Sequence, residues 1–544
     1  MKKRLLIPIL GIVILMSSST TYKSNFFEIA KQIEIFTDAY KQINLDYVDE
    51  VNPGELMDVA INSMFAHLDP YTNFWNAQDI KEAHLSRSGN HTGIGANIQN
   101  QKDKILIKEV FEDLPADRAG LKAGDELIKI GETLVADFHD DAGELLKGAA
   151  GTTIDLKFKR QGEIKNTTLK RENVRQKLVP FYKLFEEEIG YIRLTEFGRT
   201  ASKEVENALK DLKAQGAEKI ILDLRGNPGG LLTEAVNISN LFLPKNQLIV
   251  STESIVEKYN KTYVTQKEPV DTEIPVAILV NAHSASASEI VAGSLQDLDR
   301  GVVIGAQSFG KGLVQRVRPL KYDTQMKLTI SRYFTPSGRC IQALDYGEKD
   351  EDGNPLRTKT EDYKAFKTKN GRTVYDAGGV IPDVKLASSE ISGITEDLLQ
   401  KNMIFDFATD YYYTHNLKNA EDFKLSEKDY KAFENYIKEA DYQYQTKVEK
   451  DFEKAFKEMS AGDLKEKITP EYKAFMQEIA KLQTQEIEEN KIQIKQQLTD
   501  EILKRYFYED GYYHYNLKHN PEVKKAVEVL KNNKEYENIL SGNY

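Results

Sequence analysis

The segment Val276-Ala277-Ile278-Leu279-Val280-Asn281-Ala282-His283-Ser284-Ala285-Ser286-Ala287-Ser288-Glu289-Ile290 runs from apolar residues, through a turn of small ones, into a helical pattern. An apolar run without alternation is the kind of strand buried on both faces of a parallel sheet. Small residues let the chain turn sharply and leave hydroxyls at a helix N-terminus, where the dipole and free N–H groups favour developing negative charge. A helix cap explains the same serines equally well. Alone, the run therefore leaves Ser284, Ser286 and Ser288 as three candidate nucleophiles.

Working outward, Ile220 to Leu224 is a second apolar strand, and helical patterns at Ser202 to Ala214, Leu232 to Phe242 and Ser288 to Leu298 alternate with such strands. Alternation between about Ile189 and Leu386 predicts an α/β core. After the second strand comes Arg225-Gly226-Asn227-Pro228-Gly229-Gly230, a turn that could present backbone N–H groups as half of an oxyanion hole, or simply connect a strand to a helix. Further on, Phe309-Gly310-Lys311-Gly312-Leu313-Val314 sets a lysine between glycines beside apolar residues. Burial disfavours a charged amine, and a neutral lysine can take a serine proton. A plain exposed turn is the alternative, and the spacing lacks that of a phosphate-binding loop.

The chain has 544 residues, room for three or four domains of roughly 150 residues. Its 74 basic against 85 acidic residues, without a strong basic block, argue against nucleic acid as a partner. The single cysteine, Cys340, permits no internal disulfide and no zinc site built around it. Lys2-Lys3-Arg4, the apolar run Leu5 to Met16 and the small residues Ser17 to Thr21 read as an export signal or signal anchor, residues 1–21. The rest of the chain is then expected outside the cytoplasm, in the periplasm or cell envelope, and an uncleaved segment would hold it at the inner membrane.

Phe26 to His67 reads as helical until Leu68-Asp69-Pro70-Tyr71-Thr72 breaks it, giving an N-terminal helical region over 22–84. Short β-like runs follow from Gly93, at Ile105 to Val110, Glu126 to Ile130 and Thr153 to Phe158, with a short helix at about Asp140 to Leu146. Beyond Ser389 the chain is helical and charged. Within it, Asp410 to Lys418 resembles Asp510 to Lys518, a repeat read as a helix-end packing motif because clustered tyrosines usually pack.

Several motifs in fixed order then resemble the C-terminal processing peptidases, or tail-specific proteases. They are Leu68-Asp69-Pro70-Tyr71-Thr72, Asp223-Leu224-Arg225-Gly226-Asn227-Pro228-Gly229-Gly230, Ser284 to Ile290, Ser308-Phe309-Gly310-Lys311-Gly312, Tyr333 to Arg339 and Gly378 to Asp383. The resemblance implies a crotonase-like α/β protease core over 173–388, a PDZ domain over 85–172 and a helical domain over 389–544. It selects Ser286 as nucleophile and, 25 positions on, Lys311 as base. Gln315, a helical turn's spacing beyond, is implied to orient the lysine, and Asp297 is given a supporting role. The oxyanion hole would combine the amide of Ala287 with that of Gly229 or Gly230. His283, where the family often has glycine, offers a histidine base as a lesser reading, because so close to Ser286 it should point away from the turn.

Gly93-Ile94-Gly95-Ala96 matches the PDZ loop that receives a peptide carboxylate, with Leu114 to Asp125 as the PDZ turn-helix-turn. The implied function is a serine endopeptidase that cleaves proteins near their C-termini, recruits them by their tails, and needs no metal or organic cofactor. The helical C-terminal domain could carry a homo-oligomer or an adaptor contact. The competing reading is a PDZ adaptor on an inactive core.

Overall fold

A computed structural model describes residues 20–76, 80, 91–101, 103–138, 141–174, 177–350, 355–386, 391–459 and 463–543. Outside them lie nearly all of the expected signal, Asp140 and the expected boundaries at 84/85 and 388/389. The chain divides into two compact units, residues 1–76 with 317–328, and residues 77–316 with 329–544.

In the first unit the expected single helix is two, Thr20–Asp46 and Pro53–Ala66. Asn52 caps the second by accepting N–H bonds from Gly54 and Glu55, and Pro53 occupies its first turn. Proline is suited to that position and cannot continue the preceding helix, so Asn52-Pro53 divides what periodicity alone joins. The Asp69 carboxylate then accepts the N–H groups of Tyr71 and Thr72, both at 2.8 Å, closing the turn that leads to strand Asn73–Trp75. That strand pairs antiparallel with Gln325 to Lys327.

The larger unit is built on a six-stranded sheet, Phe181–Phe185, Ile189–Arg193, Lys219–Asp223, Val276–Val280, Val302–Gly305 and Val384–Lys385, neighbours in that order. The first pair is antiparallel and the rest parallel. Every residue of Val276–Val280 is buried, as a strand covered on both faces requires. One face packs against helices Ala201–Ala214, Leu232–Ser239 and Ala287–Asp297. Val205, Ala208, Leu209 and Leu212 make the inward stripe of the first, the spacing of one helix face. The opposite face is covered by the end of the chain: Tyr513 and Leu517 of helix Lys491–His519, Val523, Ala526 and Val529 of Pro521–Lys531, and Tyr536 and Ile539 of Asn533–Ser541. The final helices thus complete the core's own three-layer packing.

A separate sheet holds Ala96–Asn100, Ile105–Val110, Glu126–Ile130, Thr153–Arg160 and Glu163–Lys170 in that order around their own core, with a helical turn at Pro115–Arg118. Strand Glu172–Val174 pairs antiparallel with His91–Gly93 in a two-stranded sheet of its own. A third core, including Leu398, Phe407, Phe433 and Leu498, joins helices from Gly393 onward. Both copies of the tyrosine repeat pack: Tyr411 lies in this core and stacks on His415, and Tyr513 stacks on Phe181.

Candidate active site

Three loops leave the carboxyl ends of three adjacent parallel strands, the edge where open α/β sheets place their ligands. Residues 224–231 follow strand Lys219–Asp223, residues 281–286 follow Val276–Val280, and residues 306–312 follow Val302–Gly305. All three segments flagged in the sequence therefore meet at one sheet edge.

The three serines differ. Ser284 and Ser288 are buried, and their Oγ atoms donate to the carbonyls of Leu224 and Asn227 at 2.8 and 2.9 Å. They tie the serine turn to the glycine loop. Ser286 is only half-buried and takes φ 56°, ψ −111° immediately before helix Ala287–Asp297. A non-glycine residue rarely adopts such a backbone, and strain of this kind concentrates at functional positions. His283 is exposed.

Glu289, to which the sequence reading assigned no role, organises the site. It is fully buried, and its Oε2 accepts the backbone N–H of Ser286 at 2.7 Å and that of Lys311 at 2.9 Å. Its Oε1 accepts Ser308 Oγ at 2.5 Å and Gly310 N–H at 2.7 Å. Burial raises this carboxyl above its ordinary value against the opposing pull of those four hydrogen bonds. The signal was readable: Ser286-x-x-Glu289 is the spacing of a capping box. Tyr333 was missed too. Its phenol is buried and donates to the Ser286 carbonyl at 3.1 Å, so the peptide groups on both sides of Ser286 are held.

The glycine loop closes against this turn. Gly229 has φ +98°, and a Cβ there would lie 2.6 Å from Ala285 O and 2.8 Å from Ser286 Cβ, so no side chain fits. Its N–H donates to Asn227 Oδ1 at 2.9 Å, while Gly230 also has a positive φ, +143°. Ala287 is the first residue of its helix, so its N–H has no intrahelical partner. Before the loop, Asp223 is buried with the Tyr191 phenol at 2.5 Å and with Arg193 and Arg225. Burial would raise its carboxyl, but the two guanidiniums outweigh it and hold the group well below the usual carboxylate range. Arg225 in turn meets Glu522 and Asn520 from the end of the chain.

Lys311 is half-buried. Gln315 lies on strand Leu313–Pro319 and donates to Thr329 Oγ1 at 3.4 Å. Its spacing from Lys311 is therefore extended and not the helical turn read from the sequence. Asp297 sits at the far end of the helix that begins after Ser286. It is buried against Arg339 at 2.8 Å, with Thr335 Oγ1 at 2.5 Å and Ser337 N–H at 3.0 Å on its other oxygen. Its partners are those of a structural anchor.

In the small module, Ile94 O accepts Ala116 N–H at 2.7 Å and Gly95 O accepts Phe111 N–H at 3.1 Å, fixing the turn before strand Ala96–Asn100. Gly95 has φ +73°, and a Cβ would strike Leu114. The strand is the first of its sheet. A groove of about 560 Å³ runs along it, lined among others by Gly93, Ile94, Gly95, Ala96 and Leu146.

The profile of peptidase family S41 matches residues 188–347, that of the PDZ domain residues 92–170, and that of the probable PDZ-protease C-terminal helical domain residues 394–530. The carboxy-terminal-processing protease of Bartonella bacilliformis is 35% identical over 340 residues, covering 61% of this chain and 77% of the relative. The chain belongs to the carboxy-terminal-processing proteases. Like them it is a serine peptidase of family S41, a multidomain α/β protein with a PDZ domain and a C-terminal helical domain. A probable CtpA-like serine protease of Staphylococcus haemolyticus is 34% identical over 305 residues, 56% of this chain and 61% of the relative. The chain thus spans about three fifths of that relative's length. Among solved structures, the photosystem II D1 C-terminal processing protease is 25% identical and aligns over 65% of this chain and 93% of its own, with a TM-score of 0.37. Among the described residues, no helix of this protease is long and apolar enough to cross a membrane.

Proposed function

We propose that this chain is an exported endopeptidase that hydrolyses proteins near their C-termini, with Ser286 as nucleophile and Lys311 as general base. One observation carries the reading: the strained backbone of Ser286 and the backbone of Lys311 are pinned to the same oxygen of Glu289. In acylation, Ser286 Oγ bonds to the scissile carbonyl carbon as its proton passes to the Lys311 amine. The C–N bond then breaks, and that proton leaves with the amine product. Water repeats the sequence on the acyl-enzyme, with Lys311 again taking the proton and Ser286 regaining it. The oxyanion is received by the N–H groups of Ala287 and Gly230, because the Gly229 N–H is committed to Asn227. Gln315 orients Lys311 from the neighbouring strand, and Asp297 supports the site by holding the Thr335–Arg339 turn behind Tyr333.

The PDZ groove receives the substrate tail. Its carboxylate is taken by the N–H groups of the Gly93–Ala96 turn, and its backbone adds to the open edge of Ala96–Asn100. Five neighbouring strands with helices on both faces support a crotonase-like core. The test is proteolysis of a tailed protein by Ser286→Ala and Lys311→Ala: each is expected to bind the tail without cleaving, and parental turnover by either would refute the assignment.

A further inference from the structure

Helix Lys491–His519 carries Glu501, Lys504, Arg505 and Tyr508 at the spacing of a single helix face. Together with Lys108 and Glu109 of the PDZ strand Ile105–Val110, that face lines a cavity of about 170 Å³. Charges taken out of water are costly unless each finds a partner. Most of these do. Arg505 Nη1 donates to the carbonyl and to Oε2 of Glu501 at 2.7 and 2.8 Å, and Nη2 donates to Phe405 O at 2.8 Å. Lys108 Nζ donates to Asn402 Oδ1 at 2.7 Å and sits over the Phe405 ring. Lys122, on the same cavity, is held by Asp117 and the Tyr508 phenol.

Two groups are left. Glu109 Oε2 accepts Asn97 Nδ2 at 2.9 Å, whereas its Oε1 is buried with no hydrogen-bond partner among the described residues. The Lys504 ammonium lies 5.2 Å from the centroid of the Tyr512 ring and makes no hydrogen bond or ion pair among the described residues. Burial pulls its pKa down, but the Glu109 and Glu501 carboxylates outweigh that and hold the amine above its ordinary value. The lysine is therefore charged at neutral pH. Opposite charges line one cavity without meeting, each with a hydrogen bond still to make.

We infer that this cavity binds a small zwitterion of amino-acid size, its carboxylate on Lys504 and its ammonium on Glu109 Oε1. An anion alone would pair with Lys504 but leave the glutamate oxygen unmatched and repelling it. A cation alone would do the reverse. A ligand of both signs makes a charge-assisted hydrogen bond at each end, the stronger kind. The cavity is larger than one water needs and smaller than a drug-sized site, which sets the size of the ligand. Glu109 belongs to the PDZ domain and Lys504 to the C-terminal helical domain, so the ligand bridges the two. The site is separate from Ser286 and Lys311, and its occupancy does not depend on their roles.

The full chain is titrated by isothermal calorimetry with glycine, β-alanine and 4-aminobutyrate, which place the two charges at increasing separations. Acetate and methylammonium are the single-charge controls. At least one zwitterion is expected to bind saturably with a Kd of about 1 mM or below. Each control should bind at least about tenfold more weakly, since each forgoes one charge-assisted hydrogen bond. Lys504→Met and Glu109→Gln keep the length of their side chains, and the first removes a charge that has no partner, so both should fold and acylate an activated ester at the parental rate. Each is expected to weaken the best zwitterion at least about tenfold. Absence of saturable binding by all three zwitterions would mean that water alone fills the cavity, and overturns the proposal. Equal binding of either control, or parental affinity in either variant, overturns it as well.

Discussion

The backbone amides of Ser286 and Lys311 share one acceptor, Oε2 of Glu289, at 2.7 and 2.9 Å. Residues 25 apart in sequence are thereby held together by a buried carboxylate whose other oxygen secures Ser308 and Gly310. Their relative position does not depend on loop packing alone.

Glu289→Gln tests that arrangement. An amide replaces one carboxylate oxygen with an NH₂ group, which would face N–H donors and leave them unpaired. The variant is expected to lose about 1–3 kcal/mol of stability. Because misplacement of reacting groups is costly, kcat should fall by roughly 10²-fold with little change in KM. Thermal unfolding and steady-state kinetics on one preparation check both.

Gly229→Ala should separate folding from activity. The new Cβ would lie 2.6 Å from Ala285 O at a backbone φ of +98°. The serine turn must move, and loss of a well-placed oxyanion site costs about 10²–10³ in kcat. Circular dichroism is expected to match the parent, and the rate of acylation by an activated ester should drop.

Tyr333→Phe removes only the hydroxyl that meets Ser286 O at 3.1 Å. A neutral hydrogen bond is worth about 1 kcal/mol, so stability should fall by about that much. A drop in kcat of roughly three- to tenfold is expected if the bond also steadies the reacting peptide, at 1.4 kcal/mol per factor of ten.

Asp223 gives the acid limb of stability. Its carboxyl is held well below its ordinary 3.8 by Arg225 and Arg193, burial notwithstanding. A depressed folded-state value means the unfolded chain binds the proton more readily. The stabilisation is therefore present above about pH 3.8 and lost as pH falls toward the folded value. Asp223→Asn should lose about 3–5 kcal/mol at neutral pH, by stranding two buried arginines, and should show a flatter decline below about pH 4. Urea unfolding across that range measures it.

Much of the architecture was legible because pattern and burial coincide. Ile105–Val110 and Val276–Val280 have the limits their apolar runs suggest. The break at Asn52-Pro53 was obscured by apolar periodicity continuing on both sides, although an asparagine cap before proline is itself a start signal. Glu289 was passed over because nothing local tells a capping glutamate from one that also receives a distant loop. The place of Pro521–Lys531 on the core sheet was illegible for a similar reason. Its stripe of Val523, Ala526, Val529 and Leu530 announces a buried face but not the partner. The Asp297–Arg339 and Arg225–Glu522 pairs link residues far apart in sequence, which spacing alone does not reveal.

The most direct test treats the intact chain with an activated-ester or phosphonate serine reagent and maps the adduct by mass spectrometry, in the parent and in Lys311→Ala. A single adduct on Ser286, lost or slowed at least about 10³-fold without Lys311, is expected from a serine–lysine dyad. An adduct on Ser284 or Ser288, or labelling of Ser286 at the parental rate in the Lys311 variant, would contradict it.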